Sequence, residues 1–152
     1  MTGNGQARAN GGYAAEREPL MLQLALQSLR RQGLAPVALP ECNGEPCRWV
    51  CQVADSLTHG VCQRGVLFCD DSGLACCIAN KVSGIRAVAA ETVTQARRAI
   101  DSLGANLLVV ESAGRTFFEF KQILVLCCGP GGLCCPPAVA CVLEELDGHA
   151  HR

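Results

Sequence analysis

Continuous apolar runs alternate along this chain with stretches whose apolar residues recur every three to four positions. The clearest apolar run is GVLFC at 65–69, which is typical of a parallel strand buried on both faces. NLLVVE at 106–111 has the same character. The stretches between such runs predict helices that bury one face. The alternation therefore predicts an α/β domain in which helices cover a mainly parallel sheet.

The individual elements follow from these periodicities and from the Gly and Pro residues that end them. Helices are predicted over 20–31, 48–58, 92–103 and 116–126, with a further helix starting near Leu74. Strands are predicted over 35–39, 65–69, 85–90 and 106–111. Residues 123–126, at the end of the helix predicted over 116–126, could alternatively form an extended strand. A sheet of this kind should begin with a strand, but MTGNGQARAN is polar and Gly-rich, so the first strand is expected to be missing or replaced.

The length of 152 residues suits one domain with a proper core. We expect a polar N-terminal segment at 1–12, the α/β domain at 13–126 and a Cys/Gly/Pro-rich tail at 127–152. Three interpretations of the tail stay open: an ordered loop, a metal-binding segment, or a product of altered splicing or reading frame.

Charge and hydropathy argue against two classes of partner. The formal net charge is −1 with scattered Lys and Arg, so no surface for nucleic acid or anionic membrane is expected. The stretch 123–143 is uncharged and nominally long enough to cross a bilayer, but its Gly and Pro residues would break the helix. No secretory signal is visible, so we expect a cytoplasmic protein.

Twelve cysteines are far above ordinary usage. Without a secretory signal they are expected to be reduced, and their spacing lacks the paired C-x2-C pattern of zinc ribbons. We interpret most of them as small buried apolar residues and predict no metal site. Metal or redox use of the adjacent pairs Cys127/Cys128 and Cys134/Cys135 is the alternative.

A strand–loop–helix segment at 65–79 has the layout that usually cradles a small anion. Its loop holds two adjacent carboxylates, Asp70 and Asp71, where an anion site would need bare N–H groups. Together with Glu111, at the end of another predicted strand, they could instead hold a divalent cation, which prefers oxygen ligands. Adjacent acids in a loop are more often simply solvated.

The stretch from Tyr13 to about Leu124 resembles the sugar-phosphate isomerases of the ribose-5-phosphate isomerase B and galactose-6-phosphate isomerase type. The similarity is closest at GVLFC, IANKVSGIRA and GANLLVV, and the spacing from Arg86 to Asn106 equals that of the family. The resemblance implies a Rossmann-like three-layer sandwich that forms a homo- or hetero-oligomer, usually a dimer. It also implies a site between subunits, where aldose and ketose phosphates of carbohydrate metabolism interconvert without metal or other cofactor.

The resemblance also assigns site residues. Cys69 matches the cysteine that removes the proton beside the substrate carbonyl, and the substrate-binding positions correspond to Asn10, Asp71, Ser72, Gly73 and Leu74. Many of these positions depart from the family pattern. Ala9 and Asn10 are matched to an Asp-His pair after the first strand, Asp71 to a loop threonine, Asp70 and Ser72 to glycines, Ser102 and Leu103 to a His-Asn pair, and Ala113 to an arginine.

These departures from the family pattern predict a loss of catalytic activity. A thiol acts as a base only when ionised, and two carboxylates beside Cys69 disfavour the thiolate. The same carboxylates would repel a sugar phosphate and the developing enediolate. We therefore expect a family member that is catalytically impaired or non-catalytic, serving as a partner subunit or scaffold. The alternative is an active aldose–ketose isomerase that uses Cys69 with groups from another subunit.

Overall fold

The computed structural model describes residues 10–129 and 135–150. Five strands and six helices follow one another along this part of the chain. In chain order they are β1 Gly11–Ala15, α1 Leu20–Arg31, β2 Val37–Ala38, α2 Pro46–Thr58, β3 Arg64–Cys69, α3 Ser72–Ala79, β4 Ala87–Ala89, α4 Val93–Leu103, β5 Leu107–Glu111, α5 Phe117–Cys128 and α6 Pro137–Ala150.

The five strands form one sheet with the order β2-β1-β3-β5-β4, and every described pairing is parallel. Two cores lie on its opposite faces. One core packs α1, α4 and α5 on the sheet, with Phe68 and Phe120 edge-to-face at 5.2 Å between ring centroids. The other packs α2 and α3, around Trp49 and Leu67. The predicted α/β three-layer sandwich with a parallel sheet is confirmed.

The prediction that the first strand is missing or replaced is wrong. Gly11–Ala15 forms β1, which pairs with β2 on one side and with β3 on the other. Tyr13 lies inside this strand and is buried. Strand propensity misled the prediction because Gly and Ala rank low as strand formers, whereas a central position in a sheet overrides local preference.

The two glycines that weaken the strand signal are required by packing. A Cβ on Gly11 would lie 2.6 Å from the carbonyl oxygen of Cys127, at the end of α5. A Cβ on Gly12 would lie 2.8 Å from the sulfur of Cys62 and close to Leu39. Each contact is too short for a side chain, so β1 needs glycine wherever α5 and the opposite core approach its backbone.

Two asparagines, the buried Asn106 and the exposed Asn80, fix the approach to β4. The amide of Asn106 accepts the N–H of Arg86 at 2.7 Å and donates to the carbonyl of Gly84 at 2.9 Å. The amide of Asn80 accepts the N–H of Ala87 at 2.8 Å and donates to its carbonyl at 2.9 Å. The motif ANKVSGIRA and its fixed distance to Asn106 therefore hold the fold, since each amide replaces missing backbone partners.

The C-terminal quarter is more helical than predicted. The segment 123–126 belongs to helix α5, so the alternative strand is wrong. Part of the Cys/Gly/Pro-rich tail forms α6, which carries Asp147 to within 3.1 Å of the N–H of Gly84. Cys134 lies outside the described residues. Over the described ranges, no helix is both long and apolar enough to cross a bilayer.

Candidate functional site

The carboxyl ends of β1, β3 and β5 meet at one edge of the sheet, where open α/β folds place their sites. The register puts Ala15 beside Phe68 and Cys69 beside Glu111. Glu16 follows β1 directly, and its N–H donates to the carbonyl of Phe68 at 2.9 Å. The edge thus brings the side chains of Glu16, Cys69 and Glu111 to adjoining positions.

Cys69 ends β3 and is almost completely enclosed, with 1% of its surface exposed. Burial, followed by the nearby charges of Glu16 and Glu111, raises the pKa of its thiol from an ordinary 9.0 to about 12. The backbone N–H of Asp71 acts in the opposite direction but does not compensate. At neutral pH the Cys69 sulfur is therefore protonated.

Carboxylates of the chain itself accept the backbone donors of the loop after β3. Glu16 Oε2 accepts the N–H of Asp70 at 2.8 Å. Asp71 Oδ1 accepts the N–H of Leu74 at 3.0 Å and so caps helix α3. Glu111 Oε2 accepts the hydroxyl of Ser72 at 3.1 Å and lies 3.5 Å from its N–H. The backbone N–H groups of Asp70, Ser72 and Leu74 would otherwise suit an anion at a helix N-terminus, but they already donate to carboxylates of the chain.

Two arginines lie near the same edge, and both are engaged within the chain. Arg17 forms an ion pair with Asp70 at 3.0 Å. Arg115 donates from Nε to the carbonyl of Glu111 at 2.9 Å, from Nη1 to the carbonyl of Glu91, and from Nη1 to Glu119 Oε2 at 3.2 Å. Arg115 therefore links the loop after β4 to the loop after β5.

Two open cavities adjoin the carboxyl edge. One, of about 400 Å³, lies between the ends of β1 and β2 and is lined by Glu16, Glu18, Glu41 and Cys42, among others. Burial, and then the charge of Glu16, raises the pKa of the Cys42 thiol to about 11. The other, of about 420 Å³, lies between Arg17, Asp70 and the loop after β5. Three carboxylates and, among the described residues, no basic side chain line the first cavity, which makes it a poor match for an anionic ligand.

The predicted substrate-binding residues do not all come together. Asp71, Ser72, Gly73 and Leu74 form the start of α3, beside Cys69. Asn10 lies at the opposite, amino edge, where its carbonyl accepts the N–H of Arg64 at 3.2 Å. The match of Asn10 to a pair that follows the first strand is therefore a misalignment, because Asn10 precedes β1; Ala9 lies outside the described residues.

Glu16 is the site residue that the sequence analysis missed. It occupies the position directly after β1, where the resemblance places an acid–base pair. The start of helix α1 at Leu20 was the signal that could have identified it. A strand joined to this helix by a short connection would end near Ala15, which places Glu16 directly after the strand. Ser102 and Leu103 end α4, and Leu103 faces a different cavity, at the approach to β4.

The proposed cation cluster does not assemble. Asp70 pairs with Arg17, Asp71 caps α3, and Glu111 accepts from Ser72. Within the ranges that the structure describes, no group of three or more His, Cys, Asp or Glu side chains is arranged to hold a metal ion. None of the cysteines in those ranges forms a disulfide; Cys62, Cys69 and Cys127 are buried, whereas Cys47, Cys77 and Cys141 are exposed.

Several solved structures share this fold. Ribose-5-phosphate isomerase B of Clostridium thermocellum superposes with a TM-score of 0.72 at 18% identity, over 93% of this chain and 97% of that one. The Mycoplasma genitalium enzyme with bound ribulose-5-phosphate gives 0.70 at 20% identity, over 94% and 97%. The Trypanosoma cruzi type B enzyme gives 0.71 at 16%, over 93% and 97%. At these identities the likeness shows the fold.

No curated protein sequence matches the chain significantly. A family model described as Ribose/Galactose Isomerase matches residues 43–129, which is more than half of the chain. The matched part starts after β2 and contains Cys69, the α3 loop and both structural asparagines. By this match the chain belongs to the ribose/galactose isomerase family.

Proposed function

We propose that this chain is a non-catalytic member of the ribose/galactose isomerase family that serves as a partner subunit or scaffold. The observation that carries the proposal is the occupation of the loop after β3 by the chain's own carboxylates. Glu16 accepts from Asp70, Asp71 from Leu74, and Glu111 from Ser72. These donors are the ones that an isomerase of this fold would offer to its substrate.

The state of Cys69 supports the same conclusion. An isomerase base must remove a proton at neutral pH, which requires a thiolate in this position. Burial and the charges of Glu16 and Glu111 hold the Cys69 thiol protonated. An enediolate forming beside these carboxylates would meet negative charge where a working site supplies oriented donors. Loss of one such donor typically costs about 10²–10³ in rate.

The scaffold itself is intact, which supports a role for the folded chain. Asn80 and Asn106 each make a pair of hydrogen bonds, and a core of buried apolar residues lies on each face of the sheet. The chain thus keeps the residues that hold the fold while its site residues differ. A subunit of this kind can contribute surface to an assembly without performing chemistry.

Deuterium exchange tests the proposal directly. The purified full chain is incubated with ribose 5-phosphate, ribulose 5-phosphate and galactose 6-phosphate in deuterated water, and exchange is followed by NMR at C2 of the two aldose phosphates and at C1 of the ketose phosphate. We expect no exchange above the protein-free sample. Exchange that disappears in Cys69→Ala would overturn the proposal and establish the active isomerase with Cys69 as its base.

A matched pair of variants sharpens the result. Glu16→Gln removes one charge beside Cys69 and leaves an amide at the same position, whereas Glu18→Gln removes a charge from the next exposed acid of the same segment. Neither variant should gain exchange, because Asp71 and Glu111 still occupy the loop. Exchange appearing in Glu16→Gln alone would mean that one carboxylate suppresses an otherwise competent site, which also contradicts the proposal.

A further inference from the structure

A cavity of about 460 Å³ lies between helix α6 and the start of β4. Gly84, Ile85 and Arg86, which precede β4, line it together with Leu103 at the end of α4. These segments lie at the amino edge of the parallel sheet, opposite the edge that carries Cys69. The volume is that of a small-molecule site. We call this space the α6 cavity.

The face that α6 turns toward the cavity carries two carboxylates. Four lining residues of α6 recur at the i, i+3, i+4, i+7 spacing of one helix face: Ala140, Leu143, Glu144 and Asp147. Packing alone would favour apolar residues at all four positions. Asp147 Oδ2 accepts the N–H of Gly84 at 3.1 Å and so ties α6 to the domain. Glu144 makes no hydrogen bond or ion pair with any residue that the structure describes.

One guanidinium group shares the cavity with these carboxylates among the described lining residues. Arg86 is half-buried, and its Nε donates to the carbonyl of Gly104 at 3.0 Å, which anchors the side chain. Its two terminal nitrogens make no hydrogen bond within the described part of the chain, and no ion pair joins Arg86 to Glu144 or to Asp147. Opposite charges therefore line one cavity without neutralising each other.

We propose that the α6 cavity binds a free α-amino acid with an apolar side chain. The carboxylate of this ligand pairs with the terminal nitrogens of Arg86, because a guanidinium binds a carboxylate through two parallel hydrogen bonds. The ammonium group pairs with Glu144, and Asp147 adds negative charge on the same helix face. Leu103 and the leucines of α6 provide apolar surface for the ligand side chain.

Ligands with a single charge or with none fit this lining less well. An anion would meet the carboxylates of Glu144 and Asp147 as well as the guanidinium. An amine without a carboxylate would leave the half-buried Arg86 without a partner for its terminal nitrogens, which costs free energy when water is displaced. A purely apolar ligand would leave all three charges unpaired. A zwitterion with an apolar body satisfies both signs of charge and the apolar lining.

Isothermal titration calorimetry of the full chain with L-leucine and, separately, with L-phenylalanine tests this inference. We expect saturable binding of at least one of them. The matching amine (isoamylamine or phenethylamine) lacks the carboxylate, the matching acid (isocaproate or phenylpropionate) lacks the ammonium group, and glycine lacks the side chain. Each should bind at least about tenfold more weakly, since each loses one set of contacts. Absence of binding by both amino acids, or equal binding of the amine or the acid, would overturn the inference.

A matched pair of variants assigns the ammonium position. Glu144→Gln should weaken binding of the amino acid at least about tenfold, and Glu144 is exposed, so the fold should tolerate the change. Glu145→Gln is the control, because Glu145 is the adjacent exposed acid of α6 and does not line the cavity. Equal affinities of Glu144→Gln and the wild type, or an equal loss in both variants, would overturn the inference. No isomerase chemistry enters these measurements, so they succeed or fail separately from the proposed function.

Discussion

Glu16 Oε2 accepts a hydrogen bond from the backbone N–H of Asp70 across 2.8 Å. This contact links the residue after β1 to the loop after β3 and places a carboxylate where an anion would have to bind. Because Glu16 also raises the pKa of Cys69, one residue both fills the donor site and suppresses the thiolate. The properties of this edge therefore follow from a side chain outside the loop itself.

Glu16→Gln should lower the pKa of the Cys69 thiol, because it removes the carboxylate charge that contributes most to raising it. The decrease should be smaller than the contribution of burial, which the substitution leaves in place. The rate at which iodoacetamide alkylates Cys69 is measured by mass spectrometry over a pH series. A lower thiol pKa displaces the curve of alkylation rate against pH to lower pH. Glu18→Gln is the control and should leave the profile unchanged; an identical profile for Glu16→Gln would contradict the electrostatic argument.

Stability should decline as pH rises above the ordinary thiol pKa of 9.0. The folded-state pKa of Cys69 is raised to about 12, so in this window the unfolded chain binds fewer protons than the folded one. The contribution of Cys69 is thus complete below pH 9.0 and is lost at about 1.4 kcal/mol per pH unit above it.

Urea unfolding of the wild type and of Cys69→Ala across this pH window measures that contribution. Other groups titrate there too, so the relevant quantity is the difference between the two proteins. The wild type should lose stability more steeply with pH than Cys69→Ala. Parallel stability curves would show that Cys69 does not have the raised pKa.

Asn106→Ala should cost about 2 kcal/mol of unfolding free energy, because it leaves the N–H of Arg86 and the carbonyl of Gly84 without their partner. Chemical denaturation gives the change directly. Asn43→Ala is the comparison: that amide is exposed and bonds only to the neighbouring Glu41 side chain, so its loss should cost little. Equal effects of the two substitutions would refute a structural role for the asparagine pair.

Gly11→Ala should destabilise the fold by about 1–3 kcal/mol, because its Cβ would lie 2.6 Å from the backbone oxygen of Cys127. The melting temperature should fall accordingly. Gly148→Ala provides the contrast, since a Cβ there meets no atom within 4 Å and alanine is the better helix former in α6. If Gly11→Ala were as stable as the wild type, β1 would not be packed against α5 as described.

Much of this fold can be read from periodicity. Helix α1 has the bounds that the sequence predicts, and strand β3 differs from its prediction by one residue. Strand β1 was missed because Gly11 and Gly12 give a weak strand signal. These glycines are required by the close approach of Cys127 and Cys62, which are distant in sequence and so leave no local pattern. Helix α6 was missed because flanking Gly and Pro residues obscured a helical stretch.

The candidate site was predicted in part. The position of Cys69 at the end of a buried strand followed from the apolar run GVLFC, and the acids beside it were visible in the sequence. The position of Glu16 directly after a strand could have been inferred from the start of helix α1, but its contact with the loop after β3 depends on the pairing of β1 with β3, two segments far apart in the chain. The capping of α3 by Asp71 likewise could be identified only from the geometry of the loop.

The occupation of the loop donors can be tested most directly by NMR titration of the full ¹⁵N-labelled chain with ribose 5-phosphate. The backbone amides of Asp70, Ser72 and Leu74 report on the three carboxylate contacts. We predict that their chemical shifts do not change in a saturable way as the sugar phosphate is added. Saturable shifts confined to these amides would show that an anion displaces the carboxylates, and would contradict the account.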